Sequence, residues 1–335
     1  MTEKRYFAAA NTTSGFKSYY TEVFGKCDRI YIIKGGSGTG KSRFMRECAR
    51  AVSDKEIEYF HCSFDPHSLD GIIIDGEVAI IDGTAPHVYE PTMPGARENI
   101  VDLGRFWDSD RLRNKRDMLS GLMEQKRNAF LQGYAYLRAY GELDGVKQRI
   151  IASHVDRQKI SASAAKLVSE LEAVADAKRE IRIISALGRD GRVDFDTFEA
   201  SAEKIHRVYN GEGAAHVFLT QIISEAERMS VPISVSYDPL FAERPNAVLV
   251  GNVAISATEN PEDDAMQEYF GKDFSLDAER VLRINQIQNE LVGEAVLEFK
   301  RASNIHFGIE EIYVGAMDFG KKEEFTRQFI SELNI

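Results

Sequence analysis

One octapeptide constrains this chain more than any other stretch: Gly35-Gly-Ser-Gly-Thr-Gly-Lys-Ser42 fits the pattern G-x-x-x-x-G-K-[ST]. The β-branched and aromatic run within Arg29 to Lys34 reads as a buried strand before it, and Lys41 to Val52 reads as a helix after it. In that setting the glycines turn backbone N–H groups inward around phosphates. Lys41 supplies a cation to the β- and γ-phosphates, the Ser42 hydroxyl offers a ligand to Mg²⁺, and the helix N-terminus adds partial positive charge. Gly35, Gly36, Ser37, Gly38, Thr39, Gly40, Lys41 and Ser42 are therefore expected to hold a nucleoside triphosphate, namely ATP with Mg²⁺. A turn that merely capped a helix would not call for so many glycines followed by Lys-Ser.

Asp82 ends the apolar run Val78-Ala-Ile-Ile81, which is how a strand delivers a carboxylate to the water shell of Mg²⁺ beside a phosphate loop. Asp75 follows a similar run, Ile72 to Ile74, but Gly76 comes next, and Asp-Gly favours a tight hairpin turn. Ser42 and Asp82 are thus the expected metal residues. Many motor-type ATPases place a glutamate directly after this aspartate to polarise the attacking water. Here Gly83 stands in that place, so rapid hydrolysis is not implied. A nucleotide kinase would need a carboxylate near the end of the second strand and arginines on a mobile cover. Asp65, beyond the strand ending near Phe64, meets the first need, and Arg97, Arg105, Arg111 and Arg113, in or after a proline-rich loop, meet the second. Each of these reads equally well as a loop cap or a surface arginine. Asp65 and His87 join Lys41 and Asp82 as the catalytic candidates.

His61, Cys62, His67 and His87 show no paired C-x-x-C spacing, and His61 and Cys62 would point to opposite faces of a strand, so no zinc site is expected. Asn114-Lys-Arg-Asp117 formally matches the guanine-reading Asn-Lys-x-Asp string, but the residues before it form no strand, and ATP is preferred over GTP. A formal net charge of −11 opposes broad attraction to nucleic acid, although Arg111 to Arg116 is locally basic. The opening Met-Thr-Glu-Lys-Arg-Tyr has no apolar core, and no later stretch approaches the roughly 20 apolar residues that span a bilayer. Cys27, Cys48 and Cys62 are odd in number and lie in different expected elements, against a disulfide framework. The expectation is a cytoplasmic protein with no membrane partner.

A chain of 335 residues suggests two globular units. Between about 110 and 180 there is no proline, and Leu119, Leu122, Phe130 and Leu137, then Ile160, Ala164, Leu167 and Leu171, recur at helical spacing. That predicts a protruding helical hairpin broken near Gly141 to Gly145. An internal repeat is also visible. Gly38-Thr-Gly40 and Gly211-Glu-Gly213 precede Phe44 and Phe218, and the steps from Gly40 to Asp65 and from Gly213 to Asp238 are equal. Both aspartates precede proline, and Gly76-Glu-Val-Ala-Ile80 is echoed by Gly251-Asn-Val-Ala-Ile255. The expected fold class is α/β: a mostly parallel, P-loop NTPase-like sheet, duplicated, with a helical hairpin insertion. Residues 1–181 would form the nucleotide-binding unit, hairpin included, and 182–335 a degenerate copy. In that copy Ala214 and Ala215 replace Lys41 and Ser42, and Ser256 or Ala257 replaces Asp82. It would pack on the first unit, cover its nucleotide, with Arg244 as the residue to reach across, or recruit a partner.

These residues together resemble a family of bacterial, Firmicutes-type ATP-binding proteins built from two tandem P-loop NTPase units. The matching segments are Arg5-Tyr-Phe with Asn11-Thr12 and Gly15-Phe16, Lys34 to Ser42, His61-Cys-Ser-Phe-Asp65 with Ser68-Leu-Asp-Gly71, Val78 to His87, and Ala316-Met-Asp318. They span most of the chain, and Asp82-Gly-Thr-Ala-Pro-His87 is more specific than the loop itself. The resemblance implies ATP binding with ATPase or nucleotide-kinase-like chemistry and no established substrate. Family members often keep Gly-Lys-Ser in the second unit, where this chain has Ala214-Ala215. Two functions remain open on the sequence: an Mg²⁺-dependent ATPase or phosphotransferase, and a nucleotide-gated interaction module that presents a protein partner with the helical hairpin. A nucleic-acid-dependent ATPase is a third, disfavoured by charge.

Overall fold

The computed structural model describes residues 3–260, 262, 264–271 and 274–333; Met1-Thr2 of the charged opening segment and 334–335 of the expected second unit lie outside them. The first half runs β1 (Lys4–Phe7), β2 (Ala9–Thr12), β3 (Gly15–Ser18), α1 (Tyr20–Phe24), β4 (Arg29–Lys34), α2 (Lys41–Ala51), β5 (Ile57–His61), β6 (Leu69–Ile74), β7 (Val78–Asp82) and β8 (Glu98–Asp102). Three helices follow: α3 (Ser109–Arg113), α4 (Arg116–Ala152) and α5 (Arg157–Ser169). The second half runs β9 (Arg179–Ile181), β10 (Ser185–Gly188), β11 (Gly191–Asp194), α6 (Thr197–Ala200), β12 (Lys204–Tyr209), α7 (Ala215–Arg228), β13 (Ile233–Tyr237), β14 (Pro245–Val250) and β15 (Val253–Thr258). It ends in α8 (Ser275–Val314) and α9 (Phe319–Glu332).

The protein is α/β, with two sheets of matching order. The first is β1-β5-β6-β7-β4-β8 and the second, read from its other end, β9-β13-β14-β15-β12. Strand sense matches as well: the outer pairs β1–β5 and β9–β13 and the inner pairs β4–β7 and β12–β15 are parallel, whereas β6 and β14 are antiparallel to both neighbours. The β5–β6 and β13–β14 pairings each carry a register shift at the same place, between Phe60 and His61 and between Ser236 and Tyr237.

Two expectations are sharpened or corrected here. Each sheet is mixed, with one strand, β6 or β14, running against the others, because β5, β6 and β7 are joined by connections too short for a crossover. Asp75 (φ 51°) and Gly76 (φ 73°) make the β6–β7 turn, and both sit in the left-handed region that such a hairpin requires. The correction concerns the helical hairpin. α4 runs unbroken through Gly141 and Gly145, and its antiparallel partner is α8, not α5. A Cβ on Gly133 would stand 2.7 Å from the Phe299 ring of α8, and one on Gly141 would stand 3.0 Å from Thr13. Gly133 and Gly141 thus allow close approach, and packing outweighs their cost of about 1 kcal/mol each in a helix interior.

α5 and α9 complete the cores, each across the molecule. Ile160, Ala164 and Val168 of α5 are buried with Leu219 and Ile222 of α7, in the second unit. Phe325, Phe329 and Ile330 of α9 pack on Phe44, Met45 and Ile80, in the first. β9 begins at Arg179 and already pairs with the second sheet. Among the described residues, no helix is long and apolar enough to cross a membrane.

Candidate functional site

β4 delivers the Gly35–Gly40 loop, and α2 starts immediately after it. Gly38 (φ 74°) and Gly40 (φ 77°) occupy the left-handed region, which is why a side chain is excluded at both. Lys41 folds back: its Nζ donates to the carbonyls of Gly35 (2.8 Å) and Gly36 (2.9 Å) and lies 3.4 Å from Asp82 Oδ2. Parallel pairing of β4 with β7 sets Ile33 beside Asp82, and this register carries the carboxylate to the loop. Thr84 fastens the two segments, its N–H donating to Asp82 Oδ1 (2.8 Å) and its hydroxyl to Gly35 O (2.7 Å). Gly83 has a packing cause, since a Cβ there would stand 2.3 Å from Ile32 Cγ2. The Ser42 hydroxyl accepts from the Leu69 N–H (3.0 Å) and from Arg46 (2.6 Å). A cleft of ≈ 430 Å³ opens beside Gly35, Gly36, Gly83 and Thr84, with Lys34 and Trp107 on its rim.

The other sequence candidates divide. Asp65 caps its own loop, accepting from the His67 N–H (3.2 Å) and the Ser68 hydroxyl (2.9 Å), and forms an ion pair with Arg189 (3.0 Å). His87 is 6% exposed, stacked on Tyr20 with Phe16 at its edge, and its Nε2 lies 3.4 Å from Asp70 Oδ2. It supports Asp70 from below instead of facing the cleft. Arg97 binds the Gly25 and Cys27 carbonyls, Arg105 lies over Phe106 and Phe325, and Arg113 pairs with Asp110. Arg244 pairs with Asp144 and covers the Phe241 ring, in the second half, so it does not reach the first loop.

Several residues around the loop carry no mark in the sequence. Asp70 follows Leu69, the residue bonded to Ser42, and precedes Gly71, which pairs with Ile81; it lies close enough to Asp82 to feel its charge. Burial, with the Asp82 charge added and His87 opposing, raises its carboxyl to about 6. The only cue was an acidic residue at the head of an apolar strand. Lys126 of α4 and His306 of α8 meet at 3.1 Å, and burial lowers the pKa of both; the Lys126 charge and then Lys41 lower His306 further, to about 4, and Lys41 also opposes the Lys126 charge. Arg189 reaches in from the β10–β11 turn, donating to Ser303 (3.0 Å) as well as pairing with Asp65. Trp107 packs on Tyr313 at 5.2 Å, and together they lie against Gly36. The last turn of α8 rests on the loop: a Cβ on Gly38 would meet Val314 at 2.9 Å and the Glu310 carbonyl at 3.0 Å. None of these side chains is near the loop in sequence.

The loop in the second half has a similar backbone and different side chains. Gly213 has φ 83°, like its repeat counterpart Gly40 (φ 77°), but α7 starts two residues after Gly213 where α2 starts one after Gly40. Counting from the helix starts, Ala215 stands for Lys41 and His216 for Ser42, one position on from the sequence alignment. The β12–β15 register sets Val208 beside Ala257, which resolves Ala257 as the counterpart of Asp82. A cavity of ≈ 670 Å³ adjoins this loop, and Lys147 of α4 lines it, held by Gln288 (2.8 Å), Asn285 (3.1 Å) and Asp144 (3.4 Å). Comparison of the chain with protein-family models, with curated proteins and with solved structures found no match.

Proposed function

We propose that the protein binds ATP with Mg²⁺ on the Gly35–Ser42 loop and acts as an ATPase or phosphotransferase, and that its two halves are copies of one P-loop unit of which only the first keeps its chemistry. The observation that carries this reading is Lys41, drawn to the loop carbonyls and to Asp82 at once. A cation so placed can turn from these oxygens to phosphate oxygens with little movement. The donor set fits the metal: Asp82 presents a carboxylate, and the Ser42 hydroxyl becomes a ligand once Arg46 withdraws. Ser42 and Asp82 would hold the ion, which would supply charge neutralisation at the phosphates. Lys41, Lys126 and Arg189 would hold or screen the phosphates, and the Trp107–Tyr313 lid would exclude water. The matching strand orders support duplication. A cytoplasmic setting belongs to the same reading.

Thermal unfolding with and without ATP and Mg²⁺ tests it. At a hundredfold excess over Kd the ligand should stabilise the fold by about 2.7 kcal/mol, and Lys41→Ala should abolish that gain. Equal stabilisation in the variant overturns the proposal.

One observation favours a second reading, the nucleotide-gated module. Because the end of α8 rests on the loop, phosphate and helix compete for the same space, and occupancy would shift α8 against α4. Leu131 and Leu297, exposed on the two helices, would then offer apolar contacts to a protein partner. Steady phosphate release supports the enzyme; tight binding without release or transfer supports the module.

A further inference from the structure

The molecule holds a cluster that the nucleotide reading leaves unused. Cys62 lies just after β5, Asp70 near the start of β6 and His87 in the loop after β7, and one ligand atom from each lies within 4.8 Å of the others. The antiparallel turn from β5 into β6 brings the first two together, and the loop past Thr84 folds the histidine under them. Asp70 and His87 are 4% and 6% exposed. Asp70 Oδ2 and His87 Nδ1 are buried without a hydrogen-bond partner. Buried polar atoms are rarely left so, because each costs about 1–3 kcal/mol.

We propose that Cys62, Asp70 and His87 form a binding site for a single Zn²⁺ ion, with a fourth position open. Thiolate, carboxylate and imidazole together select a borderline transition cation over Mg²⁺ or Ca²⁺, which take oxygen ligands. The spacing agrees. Bonds of about 2.0–2.1 Å in a tetrahedron place neighbouring N and O ligands about 3.3 Å apart, and His87 Nε2 stands 3.4 Å from Asp70 Oδ2. Tyr20 stacked on the imidazole and Phe16 at its edge supply the apolar shell that fixes the ring. Binding replaces the thiol proton by the metal. Because Asp70 lies near enough to feel the Asp82 charge, the ion would adjoin the phosphate site while sharing none of its expected ligands.

The test uses the full chain without nucleotide, so its outcome is independent of ATP binding. Chelator-treated protein is titrated with Co²⁺ as a spectroscopic stand-in. The expected result is one equivalent bound, with tetrahedral d–d bands and a thiolate-to-cobalt charge-transfer band, all displaced by Zn²⁺. Cys62→Ser should remove the charge-transfer band, and His87→Gln should weaken binding at least tenfold. If the buried His87 variant fails to fold, Cys62→Ser decides alone, its fold checked by circular dichroism. Absence of the charge-transfer band, or its persistence in Cys62→Ser, overturns the site.

Discussion

The loops Gly35–Gly40 and Gly211–Gly213 begin from the same backbone plan and end in different chemistry. Both follow the strand that pairs in parallel with the last strand of a β-hairpin, and both hold a glycine in the left-handed region before an amphipathic helix. Lys41 has no counterpart in the second loop, and Asp82 becomes Ala257. A lysine nevertheless stands beside the second loop: Lys147, supplied by α4 and already paired with Asp144. The comparison teaches that a left-handed glycine accompanies the turn in both loops, whereas the Lys41–Asp82 pair stands only at the first.

The harshest way to break the comparison is to hollow each unit in turn. Phe44, 0% exposed between α9 and the first sheet, should cost about 3–5 kcal/mol on replacement by Ala. Phe218, 7% exposed at the matching place on α7, should fall toward the lower end of that range. Urea unfolding measures both, and a larger loss at Phe218 would contradict the equivalence of the two cores.

Next in size is the nucleotide effect. Lys41→Ala should erase the expected gain of about 2.7 kcal/mol at a hundredfold excess of ATP over Kd, while Lys147→Ala should leave the gain intact. Calorimetric titration of both variants separates the loops. Gly83→Ala comes third. The new methyl would press on Ile32 and should cost about 1–3 kcal/mol by overpacking; its counterpart in the second unit, Thr258, already carries a side chain. An unchanged denaturation midpoint would count against the tight β4–β7 contact.

The smallest expected effect is a pH dependence shared by both halves. His216 beside the second loop and His306 beside the first are each lowered from 6.5 to about 4, by burial and then by Arg244 and Lys126 respectively. As pH falls from 6.5 toward 4 the unfolded chain takes up protons that the folded chain refuses. Stability is therefore full above about 6.5 and declines toward 4. His306→Gln should flatten part of that slope. A wild-type stability curve level across this window would contradict the burial of both rings.

What the sequence made legible was local. The strand before Gly35, the helix from Lys41 and the Asp75-Gly76 turn each rest on residues adjacent in the chain, and the repeat rests on spacing. Asp82 could be placed because a single apolar run carries it. The pairing of α4 with α8 could not, since the partner lies far along the chain and amphipathic periodicity says which face is buried but not against what. Gly141 was misread for the same reason: alone it resembles a break, and only Thr13, packed above it, explains it. Asp70, Lys126, His306 and Arg189 come from separate elements, and no spacing in the sequence announces their convergence.

The crossing of α5 and α9 has a consequence for synthesis. The first sheet emerges early from the ribosome, but the side chains that seal Phe44 and Ile80 arrive only with Phe325 and Phe329. Until then an apolar face stays open, inviting chaperones or a second nascent chain that offers its own α9. A protein assembled in this order cannot be divided between its halves into two fragments that each close, and completion of the first half waits on α9.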